Sequence, residues 1–237
     1  MSTIVSRRGV LISLAAITGG VLAGELRAAA PPKETGLSSE GLLVGRPGFQ
    51  PRTVMPLPHA ELPGFLSRPQ LEAHHAEYQR DIERLKATEK RLHEANVDQY
   101  AELRRTHVAS ANAVLLHEFY FGGLAPATVE LPRSLVPHMN EHMGDLTSWR
   151  EDFSRCAMVA KAWAVLVYDP YDDRWHNAVM DGDADGVWIG ANPLVVCDVA
   201  EHAFAKDYTR REEYIAKFLD HIDWNEIAKR YKAADRM

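Results

Sequence analysis

Hydrophobic positions change their spacing part-way along the chain. From Ser67 onward, Leu71, His74, Tyr78, Ile82 and Leu85 fall three or four residues apart, which predicts one face of an amphipathic helix. Ser67 before Arg68-Pro69-Gln70 supplies an N-cap with a proline in the first turn. A second helix is predicted over about Asp98–Phe121, stopping at Gly122-Gly123. A shorter one follows Pro132, and another covers about Leu146–Ala162. The period then shortens. Trp163–Tyr168 is an apolar block ending in the turn Asp169-Pro170-Tyr171-Asp172-Asp173, Trp175–Met180 reads as its hairpin partner, and Pro193–Asp198 suits a third strand. The tail, Arg211–Ala234, reads helical. Helices first, then a small antiparallel sheet accompanied by helices, predict an α+β fold: an N-terminal helical hairpin over 65–130 and an α/β layer over 131–237.

Composition changes little in that picture. The chain has 237 residues, 46% hydrophobic and 25% charged, which excludes collagen-like, coiled-coil and wholly disordered readings. No internal repeat is visible. The formal net charge is −6. Arg7, Arg8 and Arg27 against Glu25 leave the first thirty residues positive, so the body is more acidic than that total. An acidic body without a long basic run argues against nucleic acid as a partner.

The ends of the chain read differently from its middle. Arg7-Arg8, the uncharged run Gly9–Gly24 and Ala28-Ala29-Ala30 describe a twin-arginine signal peptide over 1–30 better than a membrane span, the alternative being an N-terminal anchor. The expectation is therefore an exported protein, periplasmic or otherwise extracytoplasmic, with no membrane segment after cleavage. Residues 31–64, rich in proline, form an extended leader. Cys156 and Cys197 are expected as unlinked thiols rather than a disulfide.

Three local patterns compete for chemistry. His138-Met139-Asn140-Glu141-His142 fits H-x-x-E-H, a zinc-peptidase pattern, against the plainer reading of a polar face on an exposed helix. Asp181, Asp183 and Asp185 resemble half of a calcium loop, but the twelfth position is Asn192 and the flanks read as strands. Asp198-Val199-Ala200-Glu201-His202 places a carboxylate at the end of a buried strand and an imidazole four residues on, an oxygen and a nitrogen ligand at one rigid edge.

In that third stretch the chain resembles the iron/manganese superoxide dismutases. Asp198-Val199-Ala200-Glu201-His202-Ala203-Phe204 is similar to their D-V-W-E-H-A-Y signature. Leu66-Ser67…Leu71-Glu72-Ala73-His74 is similar to the helix giving the first histidine, and His117-Glu118-Phe119-Tyr120-Phe121 to the helix giving the second. The resemblance covers about residues 57–234. It implies the dismutase fold with a three-stranded antiparallel sheet and metal ligands His74, His117, Asp198 and His202. It also implies one Fe or Mn ion per subunit, superoxide as substrate, and a homodimer in which Glu201 reaches the partner subunit. Three imidazoles and a carboxylate without thiolate suit Mn or Fe. The surroundings depart from the family. Ala200 stands for its Trp, Ile82 for its gateway Tyr, Tyr78 for its second-turn His and Ala205 for its later Tyr. Ala113 and the stretch Asp181–Asp185 fill the places of its Gln. Arg211 is the residue expected to attract the anion, and Trp163 and Trp188 are expected in the core, Trp163 near the metal. The alternative to dismutation is a slow or non-catalytic metal-binding envelope protein on the same fold.

Overall fold

A computed structural model describes residues 52–235; the arginine pair, the signal peptide expected over 1–30 and the leader as far as residue 51 lie outside them. Helix α1 (Arg68–Glu94) begins as its sequence requires: Ser67 is extended, its hydroxyl accepts the Gln70 N–H, and Pro69 sits in the first turn. Leu71, His74, Tyr78, Ile82 and Leu85 are all on its buried face. Helix α2 (Val97–Gly122) starts at the cap Asn96, whose side chain accepts the Gln99 N–H. So short a connection folds α2 back along α1 as a helical hairpin. Most buried residues of α2 lie between Ser110 and Phe121, the half that carries His117.

Helices α3 (Val136–Met143) and α4 (Leu146–Val159) lead into the sheet. The helix expected over 146–162 ends early. Ala160 is extended, and Ala162 is taken by the sheet end, donating its N–H to Met180 and accepting from Val199. Strands β1 (Trp163–Asp169), β2 (Arg174–Met180) and β3 (Asn192–Asp198) form an antiparallel sheet in the order β2-β1-β3. The central strand is buried throughout, as expected when both faces are covered. Its first residue, Trp163, pairs with Met180 on one side and Asp198 on the other.

The tail is two helices, not one: α5 (Arg211–Asp220) and α6 (Trp224–Ala234). Between them Ala125 donates to the His221 carbonyl and Asp223 to that of Gly123, while the Asp223 carboxylate caps α6. Neither Gly nor Pro marks this break. It is made by the chain after α2, about a hundred residues earlier, so local periodicity has no trace of it. The core between the layers is dominated by Trp149, Phe153, Tyr120, Tyr214 and Phe218. Both cysteines are free thiols. Among the described residues no helix is long and apolar enough to cross a membrane.

Candidate metal centre

Two long helices and one strand end converge on a single carboxylate. His74 comes from α1, His117 from α2, Asp198 closes β3, and His202 follows in the short 3₁₀ turn Glu201–Ala203. That turn is held against α1 by Gln70, one helical turn before His74. Its amide donates to the His202 carbonyl at 2.7 Å and its oxygen accepts the Lys206 N–H at 2.8 Å. Asp198 Oδ2 lies 2.9 Å from Nε2 of His74, 2.9 Å from Nε2 of His202 and 3.8 Å from Nε2 of His117. Its Oδ1 accepts the Ala200 N–H at 2.9 Å.

Electrostatics follow from burial and this geometry. Burial alone would raise the Asp198 carboxyl, but hydrogen bonds from His202 and His74 outweigh it and hold the group well below the usual carboxylate range. Burial lowers His74, and it lowers His117 to about 4, so both are neutral imidazoles near pH 7. In His202 burial is outweighed by the Asp198 hydrogen bond and charge, and its pKa is raised.

Two ring nitrogens at this centre, His74 Nδ1 and His117 Nε2, are buried without a hydrogen-bond partner, and the second tests whether a cation fits. His117 Nδ1 donates to the Ala113 carbonyl at 2.9 Å, which assigns the lone pair to Nε2. That Nε2 is buried and has no hydrogen-bond partner. A buried lone pair facing a carboxylate oxygen is unfavourable by itself and satisfied by a metal ion. Donor atoms of the four residues all lie within 4.8 Å of one another, close enough to share one ion. Three imidazole nitrogens and one carboxylate oxygen fit iron or manganese.

The residues expected around the ligands divide. Trp163 stands edge-on to His117, ring centres 5.0 Å apart at 90°. Tyr78 is buried, but its hydroxyl is committed elsewhere: it donates to Glu118 and accepts the Met55 N–H, both at 3.1 Å. Arg211 donates to the carbonyls of Ala160 (2.9 Å) and Met158 (3.4 Å) at the end of α4. Glu201 is exposed and, with His202, Glu77, Ala73, Ala205 and Lys206, lines an opening of about 350 Å³. His202 is the ligand-set member that meets it, its side chain 36% exposed. Trp188 is a correction: it is 42% exposed rather than part of the core, and its indole N–H bonds the Asp169 carboxylate at 2.7 Å.

Three participants escaped the sequence reading. Gln70 and Asp81 lie four residues before and seven after His74, hence on its helix face, and a polar residue on a buried face was their signal. Asp81 Oδ2 is 3.4 Å from His117 Nδ1, and burial raises its carboxyl to about 6. Asp183, in the loop after β2, accepts the Trp163 indole N–H; its signal was the family resemblance, which sets Asp181–Asp185 in the place of the Gln.

The rival patterns are placed elsewhere. His138 and His142 are not on an open polar face. They pack against Trp175, and His138 Nδ1 is 3.0 Å from the Tyr231 hydroxyl. No third metal-ligating group joins them among the described residues. Asp181 pairs with Lys161, Asp185 accepts two backbone amides and Asp183 turns to Trp163, so their carboxylates do not converge as a calcium loop requires. A second cluster, Asp169, Asp172 and His176, is satisfied internally by Trp188, Tyr171 and Arg174.

Residues 132–230 match a family described as iron/manganese superoxide dismutases, C-terminal domain. Manganese superoxide dismutase 2 of Haloferax volcanii is 31% identical over 131 residues, 54% of this chain and 65% of that protein. An iron superoxide dismutase of Aquifex aeolicus is 33% identical over 144 residues, 59% of this chain and 66% of its own length. These matches thus span just under two thirds of the relatives concerned. An iron superoxide dismutase of Methanothermobacter thermautotrophicus is 30% identical over 192 residues, 75% of this chain and 92% of that protein.

Proposed function

From the premise that this chain belongs to the iron/manganese superoxide dismutase family, we propose that it converts superoxide to dioxygen and hydrogen peroxide at the centre formed by His74, His117, Asp198 and His202. The observation that carries this reading is the convergence of three Nε2 atoms on Asp198 Oδ2, one of them a buried, unpartnered lone pair. A bound Fe or Mn ion would alternate between +3 and +2, taking an electron from one superoxide and returning it, with two protons, to the next.

The chain's own residues do the rest. Asp198 supplies the negative charge that balances the cation, and its Ala200 bond leaves Oδ2 for the ion. The Ala113 carbonyl fixes His117 in the tautomer that presents Nε2. Tyr120 and Phe121 pack against His74, ring centres 4.8 and 4.9 Å away, and exclude water from the inner side. Substrate and protons enter through the opening at His202. Ile82, Ala113 and Ala205 have hydrocarbon side chains with no exchangeable proton, so none of these three positions relays one.

Superoxide decay measured on purified protein, with Fe and Mn quantified in the same sample, tests the reading. Decay in proportion to bound metal and abolished by His202→Ala is the expected result. Stoichiometric metal without catalysed decay would replace it with the second reading, a metal-binding protein, which the loss of side-chain proton donors at Ile82, Ala113 and Ala205 favours. The same reading includes a homodimer, with Glu201 at the contact, checked by light scattering. It includes export as well: Arg7→Lys with Arg8→Lys should retain the unprocessed chain in the cytoplasmic fraction.

A further inference from the structure

The histidine pair on α3 shares two features with the metal centre. The first is spacing. His138 and His142 lie one helical turn apart, so both rings stand on the same face of α3, and their centres are 5.8 Å apart. Around Asp198 the ring centres are 5.1 Å apart for His74 with His117, 5.1 Å for His74 with His202 and 6.0 Å for His117 with His202. The α3 pair is therefore spaced like rings that can share one ion.

The second is unpaired polarity. Among the described residues five buried side-chain polar atoms lack a hydrogen-bond partner. Two belong to the metal centre, and two to this cluster: His142 Nδ1 and the indole Nε1 of Trp175. Trp175 is 2% exposed and stands edge-on to His142, ring centres 5.8 Å apart. Burial, aided by Arg174, lowers the His142 pKa against the pull of Glu141 and Asp173, so the ring is neutral near pH 7 and keeps a lone pair. Those two carboxylates outnumber the one guanidinium, which suits a cation. A buried ring nitrogen without a partner is unfavourable, and an ion on the lone pair removes the penalty. His138 is held in a complementary way. Its Nδ1 is 3.0 Å from the Tyr231 hydroxyl, and with Nδ1–H donating to that oxygen the lone pair falls on Nε2. The Ala113 carbonyl arranges His117 in the same manner.

We propose that His138 and His142 form a second metal site, which takes a divalent ion of the imidazole-favouring class, Zn²⁺ or Cu²⁺, with water completing its coordination. Affinity at nitrogen ligands rises from Mn²⁺ and Fe²⁺ toward Cu²⁺ and Zn²⁺, so this pair selects a different ion from the four-residue centre. No third metal-ligating group joins the pair among the described residues, so the site is open and its ion exchangeable. The ion would staple one turn of α3 where that helix packs on Trp175 of β2 and Tyr231 of α6. The inference does not rest on dismutation. Crystals soaked in zinc chloride test it, because anomalous scattering at the zinc edge locates the ion. A peak about 2.0–2.1 Å from one nitrogen of each ring is expected. Zinc confined to the centre at Asp198, or absent altogether, overturns the proposal. Titration of the manganese-loaded protein with Zn²⁺ in a calorimeter reads the affinity, with circular dichroism as the folding control. His138→Ala and His142→Ala should each abolish this binding, and Tyr231→Phe should weaken it by about 10-fold through the lost bond to His138. Asp172→Ala, in the other cluster, should leave it unchanged. Zinc affinity equal in His142→Ala and wild type, or lost in Asp172→Ala, overturns the proposal, and if the alanine variants do not fold the position of the zinc peak decides.

Discussion

Asp198 divides its two oxygens between structure and site. Oδ1 is tied to the Ala200 amide, so the strand end is fixed, and Oδ2 receives the imidazoles. Removing this residue should be severe for metal and mild for helices. Losing an outer-shell partner typically costs 10–100-fold in metal affinity, so Asp198→Ala should lower Fe or Mn affinity by at least about 100-fold, read by metal titration with circular dichroism as the folding control. His202 sets the pH dependence of uptake. Its pKa is raised by Asp198 despite burial, so its protonated form stabilises the metal-free fold below the ordinary histidine pKa, and that contribution is lost as pH rises through the raised value. A metal must displace this proton. Uptake should therefore strengthen as pH increases across that window and release a proton, measurable by titration in weakly buffered solution.

Helix α1 ties the centre to its surroundings through its N-terminal half. At its start, the Ser67 N–H and hydroxyl both bond the Asp207 carboxylate at 2.7 Å, just beyond the turn carrying His202. Ser67→Ala should cost about 1 kcal/mol in denaturant unfolding, and combining it with Asp207→Ala should add less than the sum, because the two share these bonds. Further along, His75 and Tyr78 clamp the backbone of Met55 from either side, at 2.7 Å to its carbonyl and 3.1 Å to its N–H. The same preceding segment sends Arg52 to Glu118 on α2, side chains only 9% and 2% exposed. Arg52→Ala would strand a buried carboxylate next to His117, at a cost of about 3–5 kcal/mol, and adding Glu118→Gln should recover part of it. Limited proteolysis near residues 52–56 would report the released segment.

Across the whole molecule, the four converging residues join the helical hairpin to the sheet. An ion held by all four would cross-link α1, α2 and the end of β3, stabilising the native chain alone. Free metal at about 100 times its Kd adds about 2.7 kcal/mol. For a body of this size that corresponds to a rise in Tm of about 5–10 °C. Chelation should reverse it, and a His74→Ala chain should show no metal-dependent rise. Equal shifts in both chains would place the metal elsewhere.

Much of this protein is legible one segment at a time. The buried face of α1, the cap at Ser67, the all-apolar β1 and the order His74, His117, Asp198, His202 each sit in a local stretch, because helix and strand periods and capping bonds act over a few residues. What the fold alone decided joins residues far apart. The split between α5 and α6 is imposed by residues 123–125, and the early end of α4 by Met180 and Val199. Trp188 is drawn to Asp169 at the end of the central strand, Arg211 to the carbonyls closing α4, and Asp183 to Trp163. Which nitrogen of His117 faces Asp198 likewise follows from a helix carbonyl and from the strand end brought opposite it. Such contacts form only when distant segments have packed, and their geometry depends on where each backbone comes to rest, which no residue's neighbours along the chain encode.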